Sequence, residues 1–373
     1  MANADTFLVS KSNFSNTKLA PIDVSILANV EAGEVLLKVD RFALTANNIT
    51  YAALGDKLQY WKFFPGEENY GVIPVWGFAE VLLSKCDGIE VGERFYGYYP
   101  MASHLKVVAE KVTKYNFLDG AAHRQGLAHI YNQYTHTSND PLYTQDSEAL
   151  QMLLRPLFTT SFLLDDFFNE NSFFNANTIV LTSASSKTAL GLAFLLNHNR
   201  KANNQDIKII GLTSSGNLDF VKGLGIYDEV LEYSQVPQLD QTQPTVTVDF
   251  AGNSELMVAL HGHLNGQLQY SCMVGVSHWD QQTQLPKDLA GPKPTMFFAP
   301  SQAQKRLKEW GPEKFQTIFA GCWIEFNKFV KSWMQVEEAA GEKAVTQVYQ
   351  QVLAGRSQPN VGHCLSLWTD DKN

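Results

Sequence analysis

Six consecutive residues, Thr182, Ser183, Ala184, Ser185, Ser186 and Lys187, gather four hydroxyls and one ammonium into a stretch that could hold a phosphate. Before them, Ile179, Val180 and Leu181 form a short aliphatic run. After them, Ala189, Leu190, Leu192, Ala193, Leu195 and Leu196 recur as on an apolar helix. The reading is strand, tight turn, helix. In a parallel sheet such a unit places free backbone N–H groups just beyond the strand's carboxyl end, where the helix dipole favours an anion such as a pyrophosphate. Serine hydroxyls would add donors and Lys187 a point charge. The glycine pattern G-x-G-x-x-G is absent, Gly191 being the only glycine in the unit. An ordinary βα unit with a solvated lysine at its helix start fits the same residues. A P-loop is disfavoured, because its two glycines before the lysine are missing.

A second stretch, GLTSSGN at 211–217, ends the next strand-like run and contains no Asp or Glu. A carboxylate there would bind the ribose hydroxyls of NAD and repel a 2′-phosphate. Ser214, Ser215 and Asn217 therefore permit NADP, with Lys222 the nearest later cation. The same residues also suit a cap for the helix that starts near Asn217.

These segments need a sheet to hold them. From Thr178 the chain alternates strands and helices: TIVLTS, a helix to His198, IKIIGLT, NLDFVKGLG, DEVLEY, TVTVDF, ELMVALHGHL and QLQYSCMVGV. That order implies a doubly wound parallel sheet of the Rossmann type. The N-terminal part reads differently. EVLLKVDRFA at 34–43 alternates as a half-buried strand, and Pro74, Gly77, Gly88, Gly92 and Gly97 punctuate short β-type runs, as in a small antiparallel barrel. Residues 119–150 form an irregular excursion that leads into the helix-like EALQMLLRPLF. The chain after Ser301 is helix-rich, and its closing VGHCLSLW returns to strand character and could rejoin the barrel. We expect three segments: a barrel-like catalytic part at 1–155, a Rossmann domain at 156–300, and helices with a strand at 301–373 returning to the catalytic part.

The chain has 373 residues, enough for two domains, with 45% hydrophobic and 18% charged residues as in folded globular proteins. A formal charge of −9 and the lack of any basic run argue against nucleic acid as a partner. Cys86, Cys272, Cys322 and Cys364 lie far apart and suggest neither a disulfide framework nor structural zinc. No stretch approaches the roughly 20 apolar residues of a membrane span. The first residues lack an apolar core of signal-peptide length, so a cytoplasmic location is the expectation.

Taken in order, GEVLLKVDRFALTANNITYAALGD, VIPVWGFAEVLLSKCDGIEVGERFYGY, GLTSSGNLDFVKGLGIYDEVLEY and TVTVDFAGN resemble the medium-chain dehydrogenase/reductase superfamily, in its zinc-free branch of quinone oxidoreductases and enoyl reductases. The resemblance implies an α/β fold: a Rossmann sheet inserted in a GroES-like antiparallel β-barrel catalytic domain, with the active site in the cleft. Leu44, Thr45 and PVWGFAE replace the Cys and GHE segments of the zinc alcohol dehydrogenases, so catalytic zinc is not supported. The SASSKT turn and the longer excursion and tail mark a divergent branch.

The resemblance also assigns residues. In ANNITYAALGD, Asn48 and Tyr51 match positions facing the substrate, and Thr160 matches a hydroxyl near the nicotinamide. Phe250, Ala251 and Gly252 fall where the chain passes under the cofactor. Val274 and Gly275 end the next strand near the nicotinamide, and His278 could orient a carboxamide or serve structure alone. Tyr98, Tyr99 and His104 are weaker candidates. Asp165 and Asp166 point to different helix faces and should not act as a pair. His261 and His263 near a helix end are expected to be solvated. The implied activity is NADP(H)-dependent, metal-free reduction of a quinone, enone or similar conjugated carbonyl, with a homodimer paired through the Rossmann edge strand. The alternative is a catalytically silent nucleotide sensor of the same fold.

Overall fold

A computed structural model describes residues 5–203, 206–250, 252–274, 286 and 288–369, excluding the side chains of 24, 26, 202 and 203. The chain opens with β1 (Asp5–Ser10), β2 (Thr17–Pro21) and a short α1 (Val24–Ala28). Next come β3 (Glu34–Leu44), α2 (Ala46–Ala53), β4 (Tyr70–Gly71), β5 (Pro74–Ser84), β6 (Arg94–Pro100), β7 (His104–Glu110), β8 (Asn116–Asp119) and β9 (Gln133–His136). The long α3 (Glu148–Glu170) leads into β10 (Thr178–Leu181), α4 (Lys187–Asn203), β11 (Lys208–Thr213), α5 (Leu218–Gly223), β12 (Glu229–Glu232) and β13 (Thr245–Asp249). There follow α6 (Ser254–Leu264), β14 (Leu268–Met273), β15 (Thr295–Met296), α7 (Ala299–Trp310) and α8 (Pro312–Val330), and finally β16 (Gln335–Ala340), α9 (Glu342–Leu353) and β17 (Val361–Ser366). Two compact units result, one of residues 1–153 with 334–373 and one of 154–333.

The first unit is a closed antiparallel barrel. Strands β3, β5, β6, β9, β8 and β7 pair in sequence and β7 returns to β3, so no edge is left open. The closing VGHCLSLW strand does rejoin this sheet, with β17 antiparallel to β3 and β16 parallel to β17. Buried residues of β3, β5, β6 and β8, among them Val35, Leu37, Val75, Val81, Phe95 and Phe117, form the core. The excursion supplies a barrel strand that its sequence conceals. β9 has only four residues, yet Tyr134 is buried on Phe117 and its hydroxyl donates to the Tyr98 carbonyl at 2.9 Å. A Cβ at Gly97 would lie 2.4 Å from the Tyr134 ring, so a glycine is required opposite it.

The second unit is a parallel sheet in the order β12-β11-β10-β13-β14-β15. The strand order 3-2-1-4-5-6 is that of a Rossmann domain. All four residues of β10 are buried, as a central strand covered on both faces requires. Helix α4 packs against α3 where Gly191 meets Ser161, whose Oγ donates to the Thr188 carbonyl at 2.7 Å. A Cβ at Gly191 would stand 2.6 Å from that Oγ, so this glycine serves helix packing. Helices α7 and α8 cluster with this unit because α8 buries Phe319, Trp323 and Phe326, which pack on Phe158 of α3.

His261 differs from its expected solvation. It is fully buried, with Nδ1 2.6 Å from the Ala290 carbonyl and Nε2 2.9 Å from Ser271 Oγ, and desolvation lowers its pKa. His263 is bound to the Leu239 carbonyl. No described helix is long and apolar enough to cross a membrane.

Candidate functional site

The 182–187 turn is built by hydroxyls where glycines were looked for. Ser183 adopts φ +48°, the left-handed conformation usually left to glycine. The turn is held from below. Thr182 Oγ1 donates to Asp249 Oδ1 at 2.5 Å and accepts from the Phe250 N–H at 3.0 Å. Ala184 is fully buried, its N–H bonded to the Leu212 carbonyl and its carbonyl accepting from the Tyr227 hydroxyl at 2.9 Å. Ser186 caps α4, its Oγ accepting from the Ala189 N–H at 3.4 Å. Lys187 begins the helix as a half-buried residue, but its ammonium end is desolvated and its pKa falls to about 8. Ser185 accepts from Asn217 Nδ2 at 3.0 Å, which ties this turn to the one after β11.

Beyond β11, Ser214 and Ser215 are exposed and Asn217 is half-buried, its N–H bonded to the Ser214 carbonyl. Phe250 is buried at the end of β13, and Gly252 turns with φ +69° as its N–H donates to Asp249 Oδ2 at 3.1 Å. Val274 continues β14, its N–H donating to the Asp249 carbonyl at 2.8 Å. Ala251, Gly275 and His278 lie outside the described residues. Thr160, half-buried on α3, donates to the Pro156 carbonyl of its own helix at 3.3 Å. Sequence reasoning missed Asp249 and Tyr227, which with Thr182 hold the turn. The one available signal was a carboxylate, Asp249, ending the otherwise apolar TVTVDF.

The donor set fits a dinucleotide phosphate. Hydroxyls of Ser185 and Ser186 and the Lys187 ammonium stand at the start of a 17-residue helix, beyond the carboxyl end of the first strand. Exposed Ser214 and Ser215 end the neighbouring strand without a carboxylate.

In the barrel unit, Asn48 and Tyr51 lie on α2. The Asn48 amide is buried and engaged: Oδ1 accepts from the Thr45 N–H at 2.7 Å and Nδ2 donates to the Pro74 carbonyl at 2.9 Å. It thereby closes a capping box at the start of α2. Tyr51 is 5% exposed and its hydroxyl accepts from Trp76 Nε1 at 3.5 Å. Around it stand Tyr60, Tyr98 and Tyr131, at centroid distances of 4.6, 5.6 and 6.5 Å. Desolvation, then the neighbouring Tyr60, push the Tyr51 pKa far up, so its proton is tightly held. Tyr131 comes from the excursion and also faces Trp76 and Phe63. Of the weaker candidates, Tyr98 belongs to this box, Tyr99 is buried with its hydroxyl on the Phe95 carbonyl, and His104 binds Ser103 Oγ at 2.9 Å.

Two buried carboxylates sit on α3. Glu148 accepts from Arg94 Nε at 2.6 Å and Nη2 at 2.9 Å and from the Tyr143 hydroxyl at 2.8 Å. Desolvation would raise its pKa, but Arg94 outweighs burial and holds it below the ordinary value. Asp165 Oδ2 accepts from the Asn199 amide at 2.7 Å; desolvation raises its pKa to about 7. Asp166, on another face, pairs with Arg306 at 2.6 Å, so the two aspartates do not act together. Among the described residues no group of His, Cys, Asp and Glu gathers as metal ligands do.

No curated protein matches the sequence. Among solved structures, the chain is similar to CurA from Vibrio vulnificus in complex with NADPH, at 14% identity and TM-score 0.62, over 98% of this chain and 100% of that one. A putative NADPH:quinone reductase from Mesorhizobium loti is similar at 10% identity and TM-score 0.60, over 98% and 99% of the two chains. The mitochondrial 2-enoyl thioester reductase Etr1p/Etr2p heterodimer from Candida tropicalis follows at 11% identity and TM-score 0.56, over 98% and 100%. These likenesses establish the shared barrel-plus-Rossmann fold. A family model covers residues 42–358, most of the chain, and the protein belongs to the family it describes, "Protein of unknown function (DUF2855)".

Proposed function

We propose that the protein is an NADP(H)-dependent oxidoreductase of the zinc-free medium-chain type, reducing a quinone, enone or similar conjugated carbonyl without a metal. The observation that carries this reading is the hydroxyl-built turn, with Ser183 at φ +48° and Lys187 at the helix start. The similar folds named above include one solved with NADPH, which supports the cofactor assignment. When bound, the nicotinamide would supply the hydride. Ser185, Ser186 and Lys187 hold its pyrophosphate, and Ser214, Ser215 and Asn217 receive the 2′-phosphate that a carboxylate would repel. Phe250, Gly252 and Val274 support the cofactor from beneath, and Thr160 lies toward the nicotinamide. Tyr51 hydrogen-bonds the acceptor oxygen and steadies its developing charge, its high pKa suiting a donor that keeps its proton. Asn48 positions Tyr51 by fixing the start of α2. Four free thiols accord with a reducing, cytoplasmic setting. Edge strand β15, with Met296 half-exposed, offers a homodimer surface.

A second reading, a nucleotide sensor without turnover, is favoured by the engaged Asn48 amide and the 5% exposure of Tyr51. Titrating NADPH into the protein and then adding a panel of quinones and enones separates them. Saturable binding with acceptor-dependent NADPH oxidation supports the reductase, binding without oxidation supports the sensor, and no binding removes both.

A further inference from the structure

We propose that a groove at the far end of α4 is a second ligand site, which takes a small planar aromatic carboxylate. The groove is a wide-open surface depression of about 500 Å³ that lies within the second unit, in the volume range of small-molecule sites. Lys187 and Lys201 stand at opposite ends of α4, and at 1.5 Å per residue the groove is roughly 21 Å along the helix from the phosphate-type turn. It opens at the amino ends of the strands, the side opposite to that where open α/β sheets place their cofactors.

Its walls specify a flat apolar body. Phe194 and Phe329 stack with centroids 5.3 Å apart and planes at 27°, and Leu224 and Ile226 face the same space. The His198 ring lies nearly parallel to Phe194, at 18°, which extends the aromatic surface to the rim. The rim's charges specify the head group. Arg200 is committed to Asp228, with Nη2 2.8 Å from Oδ1, and its Nη2 also donates to Asn197 Oδ1. Glu325, the carboxylate that feels the charge of His198, is paired with Lys328 at 2.7 Å. Lys201 is exposed at the rim and makes no ion pair with another described residue. An anion there gains a cation that no other described residue neutralises, on a protein whose net charge of −9 otherwise repels it. The carbonyl end of α4 disfavours an anion at the axis itself, so the carboxylate belongs on the Lys201 and His198 side chains.

The probe is 2-naphthoate, titrated into the full chain and followed by its fluorescence and by the His198 ring proton resonances. We expect saturable one-to-one binding that shifts the His198 signals. Lys201→Glu, an exposed substitution, should weaken it by about tenfold or more, and neutral 2-naphthamide should bind similarly weakly to wild type. Leu224→Glu, which puts a charge into the apolar wall, should also abolish the shift, with circular dichroism confirming that both variants fold. Saturating NADPH should leave the affinity unchanged. The proposal is overturned by absence of saturable binding at millimolar probe, by equal affinity in wild type and Lys201→Glu, or by displacement with NADPH, which would assign the probe to the turn instead.

Discussion

Two sets of buried polar groups, one in each unit, contrast. In the barrel unit Glu148 is clamped by Arg94, the Asn48 amide by Thr45 and Pro74, and Tyr51 is packed among rings. In the Rossmann unit two groups are desolvated and their pKa values displaced. Lys187 is lowered to about 8 at a helix start, and Asp165, whose Oδ2 accepts from the Asn199 amide, is raised to about 7 by desolvation. The first arrangement resists change and the second responds to ligands and pH. Catalytic assignments in the barrel are consequently the more demanding part of the proposed function, and the cofactor turn is the better supported part.

The largest effect should come from opening the barrel clamp. Arg94→Ala leaves Glu148, only 3% exposed, without its bidentate partner, a loss of about 3–5 kcal/mol by denaturant unfolding. A loss under about 1 kcal/mol would erase the contrast between the units. Asp165→Asn tests the opposite case. Because the folded pKa is raised from 3.8 to about 7, the protonated form carries no burial penalty below pH 4. The destabilisation grows as pH rises through 7 and is complete above it. Asparagine should therefore leave acid stability unchanged and raise stability at pH 8 by as much as roughly 4 kcal/mol. A gain equal at both pH values would contradict the assignment.

Lys187→Ala should weaken NADPH binding by about tenfold, or roughly 1.4 kcal/mol, without lowering the melting temperature. In wild type the affinity should fall as pH rises through about 8, where the ammonium loses its proton. A flat pH profile together with unchanged affinity would remove Lys187 from the site. A smaller effect is expected at Asn48→Ala, a loss of about 1 kcal/mol from the α2 capping box. Tyr51→Phe should leave stability near wild type while reducing turnover, and undiminished turnover would favour another donor.

Much of the fold was legible because it rests on local pattern. The TIVL run, the polar turn and the apolar helix after Lys187 appear as β10, turn and α4, and VGHCLSLW appears as β17 on the barrel. What escaped reading depends on distant partners. Tyr51, Tyr60, Tyr98 and Tyr131 span 80 positions and converge only after the barrel closes through the four-residue β9. His261 looked solvated on its helix because Ser271 and Ala290, which bury it, lie on other segments. Nor does the sequence of α8 show that its aromatic residues meet Phe158 of α3. Within the turn, SASSKT showed the donors; the left-handed Ser183 and its support by Thr182 and Asp249 needed the structure.

The central claim is that this glycine-poor turn holds NADPH, and a fluorescence titration of the full chain with NADPH, repeated with Lys187→Ala, tests it most directly. The account predicts a saturable rise in nicotinamide fluorescence in wild type and an affinity about tenfold lower in the variant; no saturable signal from wild type at millimolar NADPH would contradict it.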